Sequence, residues 1–105
     1  MYSGGVDTVK VFSALANKHR QGILRAMRDP EAEFEPNLGV DMTQTGVCVS
    51  QISERFGITQ STASQYMAQL KDAGLLDSER IGKFTYYRRN ERALSELADV
   101  IRAEL

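Results

Sequence analysis

The spacing of apolar and polar residues between positions 49 and 74 predicts two short helices joined by a tight turn. Gly57 can take the left-handed conformation that closes a helix, Ile58 can pack back against it, and Thr59 can accept from the free N–H groups of the next helix. Gly57-Ile58-Thr59 therefore reads as the turn of a helix-turn-helix. From Gln60 the second helix sets Ala63, Tyr66, Met67, Leu70 and Ala73 on one face, and Ser61, Ser64, Gln65 and Ala68 on the other. The second face is small and polar at its start. Short hydroxyl and amide side chains of this kind can approach phosphates and base edges in a major groove. Gly74 ends the helix, with Leu75 packed behind it.

Upstream, residues 1 to 5 are expected to fray. From Val6 to Ala16, Val9, Phe12, Leu15 and Ala16 recur at helical spacing. Asn17 can cap a second helix that buries Ile23, Leu24 and Met27, with Lys18, Arg20, Arg25 and Arg28 mostly solvated. Asp29-Pro30 ends it. Residues 29–46 then form an acidic segment interrupted by Pro36, Gly39 and Gly46, long for a connection in a small domain. It reads either as a solvated loop or as an effector lid, the second because Phe34, Leu38, Val40 and Met42 have little use in disordered chain.

Downstream, Leu75 to Ile81 and Phe84 to Arg89 read as two strands turning at Gly82-Lys83, a small hairpin or wing. Arg80 and Lys83 flank its tip, where a cation can meet a phosphate; the alternative is a hairpin that its charges merely solvate. Asn90 can cap a last helix with the stripe Leu94, Leu97, Ala98, Ile101 and Leu105. That stripe must bury itself internally or against another subunit. A dimer interface shared with the first helix is the preferred reading.

The chain is long enough for one compact domain, 1–105, and has no apolar run long enough for a membrane span and no signal-peptide pattern, so a cytoplasmic protein is expected. One cysteine, Cys48, excludes an internal disulfide, and with a single histidine, His19, a metal centre would rest mainly on oxygen ligands or be shared between subunits. The net charge of −1 hides a segregation. Asp29, Glu31, Glu33, Glu35 and Asp41 occupy a stretch without Lys or Arg, whereas Arg80, Lys83, Arg88 and Arg89 follow the helix-turn-helix.

These elements, in this order, resemble the ArsR/SmtB family of bacterial winged-helix repressors. Leu15-Ala16-Asn17-Lys18-His19-Arg20-Gln21-Gly22-Ile23-Leu24 is similar to the family's early Leu-Ala-x-x-x-Arg-x-x-Ile-Leu segment. Thr59 to Met67 resembles the opening of its recognition helix, Leu70-Lys71-Asp72-Ala73-Gly74-Leu75-Leu76 the exit, and Arg80 to Arg88 the wing. The resemblance implies a homodimer on an imperfect palindrome, its recognition helices roughly 34 Å apart, released by an effector. Two departures stand out. Gln65 and Tyr66 replace a common Arg and His, so operator preference does not carry over, and the family's metal-binding Cys-x-Cys is here Cys48-Val49-Ser50. The last helix offers Asp99 and Glu104 but no histidine for the family's other metal site. No cofactor is therefore expected, and the effector, whether metal, oxidant, small molecule or none, stays open.

The expectation is a mainly α winged helix-turn-helix with five helices and a two-stranded wing. Its function is that of a dimeric, sequence-specific transcriptional repressor bound to double-stranded DNA. Contacts are assigned to Gln60, Ser61, Thr62, Ser64, Gln65, Arg80, Lys83 and Arg88. Cys48 reads as a small apolar residue or, near a helix N-terminus, as a thiol sensor. The alternative function is a winged-helix module that binds protein through the acidic segment and last helix. An enzyme has little support, since Cys48 and His19 lie on separate elements and no phosphate loop is present.

Overall fold

The computed structural model describes residues 6–37 and 39–105; the stretch expected to fray and Leu38 lie outside it. Asp7 opens the first helix, α1 (Thr8–Leu15), its carboxylate accepting from the Lys10 N–H at 3.1 Å. Asn17 opens α2 (Lys18–Ala26) as expected, accepting from the Arg20 N–H at 2.9 Å. Ile23, Leu24 and Met27 of this region enter the core.

On α1 the core takes a different face from the one expected. Val11 and Ala14 are buried and Leu15 is half-buried, while Val9 is 78% and Phe12 39% exposed in the protomer. Lys10 and Ser13 mark one polar side of the helix, but the apolar arc that remains, from Ala14 and Val11 through Leu15 to Phe12 and Val9, is too wide for spacing alone to select the face that packs. Arg20 also departs from expectation: it is half-buried and bonded to three groups, not solvated.

Residues 29–46 pack against the body. Pro30 starts a one-turn helix, α3 (Pro30–Glu33), where its missing N–H costs nothing. Phe34 and Met42 are buried in the core. The Gln51 amide donates to the Glu35 carbonyl at 2.8 Å, Arg55 pairs with Glu33 at 2.6 Å, and the Asn37 amide donates to the Tyr86 hydroxyl at 3.0 Å. With α3 the described residues hold six helices, one more than expected.

A strand absent from the expectation follows. β1 (Val47–Cys48) pairs antiparallel with the second wing strand, Val47 opposite Tyr87 and Cys48 opposite Tyr86. It leads into α4 (Val49–Phe56), which Gly57 closes at φ +65°. The Ile58 N–H returns to the Ser53 carbonyl at 3.2 Å, and the Ser53 hydroxyl donates to the Ile58 carbonyl at 2.6 Å, which fixes the turn. Thr59 then caps α5 (Gln60–Asp72), accepting from the Thr62 N–H at 3.1 Å. Ala63, Met67 and Leu70 face inward and Ser61, Ser64, Gln65 and Ala68 outward, as the spacing predicts.

The Leu75 N–H bonds to the Leu70 carbonyl at 3.0 Å as α5 ends. The wing is β2 (Leu76–Ile81) and β3 (Phe84–Arg89), and the sheet order is β1-β3-β2. Asn90 caps the last helix, α6 (Glu91–Glu104), accepting from the Ala93 N–H at 3.0 Å. Leu97 and Val100 are buried on it, Leu94 is half-buried, and Ile101 (44%) and Leu105 (79%) are exposed.

Candidate nucleic-acid interface

The turn 57–59 and the capped start of α5 project a helix N-terminus outward beside the wing. Between them runs a groove of about 520 Å³, whose walls include Ser50, Gln60, Ser61, Ser64, Lys83 and Thr85. The Gln60 amide donates to the Ser50 hydroxyl at 3.0 Å, joining the start of α4 to that of α5. Among the described residues no acidic side chain lines this groove. Glu31, Glu33, Glu35 and Glu54 instead line a separate cleft between α3 and α4. The segregation of charge along the chain thus persists in space, and a polyanion would meet the groove without facing these carboxylates.

The residues assigned to contacts divide into groups. Gln60, Ser61, Ser64 and Lys83 share the groove. Gln65 is exposed on the outward face of α5 but is not among the groove residues. Thr62 is half-buried, and its hydroxyl is 3.0 Å from that of Thr59, so it supports the cap. Arg80 is exposed on the wing, its Nε donating to the Gly82 carbonyl at 3.1 Å. Arg88 lies at the other end of β3, opposite Asp77, pairs with Glu79 at 3.4 Å, and lines a different cleft beside Arg28 and Arg89. Its charge is thus partly compensated and distant in register from Lys83.

Sequence reasoning missed Ser50, Thr85 and the half-buried Tyr87, which also lines the groove. In the sequence Ser50 stands out only where the family's second metal-binding cysteine would be, and Thr85 and Tyr87 only as positions within the strand 84–89. Only the pairing of β3 with β1 carries them beside α5.

Cys48 is 4% exposed. It sits on β1 directly before α4, its backbone N–H donating to the Gln51 side chain at 2.8 Å. Its burial is that of a small packed apolar residue, its Sγ lies 4.0 Å from the Asn37 amide nitrogen, and the residue also lines the groove. His19 stacks on Tyr66, ring centroids 5.9 Å apart, and Asp99 pairs with Arg102 at 3.2 Å. Among the described residues no three His, Cys, Asp or Glu side chains gather as a metal site. No helix among them is long and apolar enough to cross a membrane.

Against known proteins, the family model for "Bacterial regulatory protein, arsR family" matches residues 46–78, from β1 into the wing. A Bacillus subtilis (strain 168) protein described as an uncharacterized HTH-type transcriptional regulator, YbzH, is 48% identical over 100 residues, covering 95% of this chain and 100% of the relative. Among solved structures, an ArsR-like transcriptional regulator from Rhodococcus sp. RHA1 aligns with a TM-score of 0.66 at 21% identity, over 90% of this chain and 74% of that one. The homodimeric winged helix-turn-helix DNA-binding domain of Mb0332 from Mycobacterium bovis aligns with a TM-score of 0.59 at 23% identity, over 96% of this chain and 87% of that one. At these identities the two structures speak to fold alone.

Proposed function

Because the chain belongs to the ArsR family of winged helix-turn-helix transcriptional regulators, DNA-binding proteins and not enzymes, we propose that it acts as a homodimeric repressor on a palindromic operator. The observation that carries this reading is the groove between α5 and the wing, with Lys83 and the polar start of the helix on its walls and no carboxylate among them. Lys83 and Arg80 supply phosphate contacts, and the first N–H groups of α5 add a further anion site. Gln60, Ser61, Ser64 and Gln65 supply base discrimination, with Gln65 able to pair with adenine. Thr62 acts through the cap, and Arg88 belongs outside the set.

The second subunit docks on the apolar surface formed by α1 and α6. Val9, Phe12, Ile101 and Leu105 leave this surface exposed in the protomer, and burying it would offset the cost of exposing such side chains to water. Homodimerisation of the Mycobacterium bovis domain supports the same assembly. Each recognition helix then reads one half-site, and an effector shifts the dimer to a geometry that fits the operator less well.

Selection of genomic fragments with the purified protein, followed by fluorescence anisotropy on the best site at several salt concentrations, tests this reading. A palindromic motif with steep salt dependence is the expected result. Failure to enrich any sequence, with no salt-dependent affinity, would overturn it and turn attention to protein partners for the acidic α3–α4 cleft.

A further inference from the structure

One guanidinium ties α1 to α5. Arg20 donates from Nε to the Ala14 carbonyl at 2.6 Å and from Nη2 to the Ser13 carbonyl at 3.2 Å. Both carbonyls belong to the last turn of α1, where intrahelical partners run out and a cation is favoured. The remaining arm, Nη1, reaches the Gln69 side-chain oxygen at 2.8 Å, and the guanidinium carbon lies 5.7 Å from the centroid of the Tyr66 ring. Tyr66 and Gln69 are one turn apart on α5. The backbone of Arg20 is itself held by Asn17 at 2.9 Å. A planar fork can serve all these partners at once, which an ammonium cannot.

Alongside this tie, an open cleft of about 420 Å³ separates the two helices, lined by Lys10, Ser13, Arg20, Gln69 and Asp72 among others. Apolar packing at Val11 and Ala14 holds the helices together, and Val9 and Ala14 also line the cleft, but the bonds that cross it join polar side chains. The Lys10–Asp72 bridge at 3.3 Å is exposed at both ends and so contributes little. The other bond across the cleft, Arg20 to Gln69, is also exposed at the Gln69 end, but it starts from a guanidinium already fixed on two α1 carbonyls.

We infer that Arg20, acting through Gln69, is a positioning residue that sets the half-site spacing the dimer accepts. This rests on the proposed function, in which α1 belongs to the dimer platform and α5 enters the major groove. In a two-fold assembly, a rotation of α5 on α1 is applied in both subunits and changes the separation of the two reading helices. One added base pair moves a half-site by about 3.4 Å and turns it by about 35°, so a stiff hinge rejects it and a loose one tolerates it.

The test uses the full chain and duplexes carrying the selected half-sites with centre spacing varied one base pair at a time, read by anisotropy. The wild type should show one optimum and lose about tenfold per added or removed base pair. Gln69→Ala, at an exposed position, should bind about threefold more weakly at the optimum and differ by less than about threefold between neighbouring spacings. Gln69→Glu keeps an acceptor for Arg20 and should restore the wild-type profile. Arg20→Lys should flatten it, with thermal melts reporting its folding. Gln69→Ala that loses the same factor at every spacing, or none, would overturn the inference while leaving the repressor reading intact. A wild type that binds no operator, or binds one half-site as well as two, would instead overturn the repressor reading and the inference with it.

Discussion

Gly46 lies so close to the backbone of Tyr87 that a Cβ on Gly46 would sit 1.9 Å from the Tyr87 carbonyl oxygen. With φ at +100° it also holds a conformation that side chains disfavour. This contact lets β1 lie along β3, and β1 in turn delivers the start of α4 to the groove wall.

Gly46→Ala should therefore destabilise the fold by about 3 kcal/mol, combining backbone strain with a clash that no side-chain movement relieves. Gly57→Ala, at φ +65° with open space where the Cβ would go, should cost only about 1 kcal/mol. Urea unfolding compares the two. Equal losses would mean that close approach to Tyr87 is not what selects glycine at 46.

Gln51 is the buried amide that fastens residues 29–46. It accepts from the Cys48 N–H and donates to the Glu35 carbonyl, each at 2.8 Å. Gln51→Leu leaves both backbone groups without this partner and should cost about 2 kcal/mol, with faster amide exchange across residues 29–46. Unchanged exchange in that segment would show that Phe34 and Met42 anchor it unaided.

Lys83→Ala should weaken binding to all DNA sequences and lower the slope of log affinity against log salt by about 1. Arg88→Ala should leave that slope unaltered, because the Arg88 charge lies beyond the groove and is paired with Glu79. The salt slopes of the two variants on one operator decide between these positions. A fall for Arg88→Ala would return it to the DNA-contacting set.

Phe12→Glu or Ile101→Glu should break the dimer with little effect on the fold of the protomer. The charge enters a two-fold interface twice, and a loss of about 3 kcal/mol corresponds to roughly a hundredfold weaker association. Sedimentation equilibrium measures it. A dimer as tight as the wild type would place the interface elsewhere.

Asp41 opens the turn that precedes β1. The Thr43 hydroxyl donates to its carboxylate at 2.6 Å and the Thr43 N–H at 2.9 Å, and these bonds, the hydroxyl's first, hold its pKa below the ordinary carboxylate value. A lowered folded-state pKa means that the bonds contribute stability above the ordinary value, and that this contribution is lost as pH falls through the lowered one. Protection of the Thr43 amide, its exchange rate taken against the intrinsic rate at each pH, should fall on acidification through that range, and Asp41→Asn should remove the dependence. Protection that does not change with pH in the wild type would count against it.

Local chemistry was enough to determine the helix-turn-helix, its glycine and threonine punctuation, the outward face of α5, the caps at Asn17 and Asn90, and the wing turn. Each depends on residues within a few positions of one another, so the sequence alone contains the reason for it. The family was legible for the same cause, since its wording lies in those local stretches. Contacts between distant positions decided the rest. Which side of α1 is buried depends on the partners Val11 and Ala14 meet, because Val9 and Phe12 are as apolar as they are. β1 is too short to show a period and exists because β3 offers it an edge. The acidic segment is held by Gln51, Arg55 and Tyr86, all beyond its own ends. Arg20, which local pattern assigned to solvent, found Gln69 forty-nine positions away, a pairing that only the packing of α2 beside α5 could create.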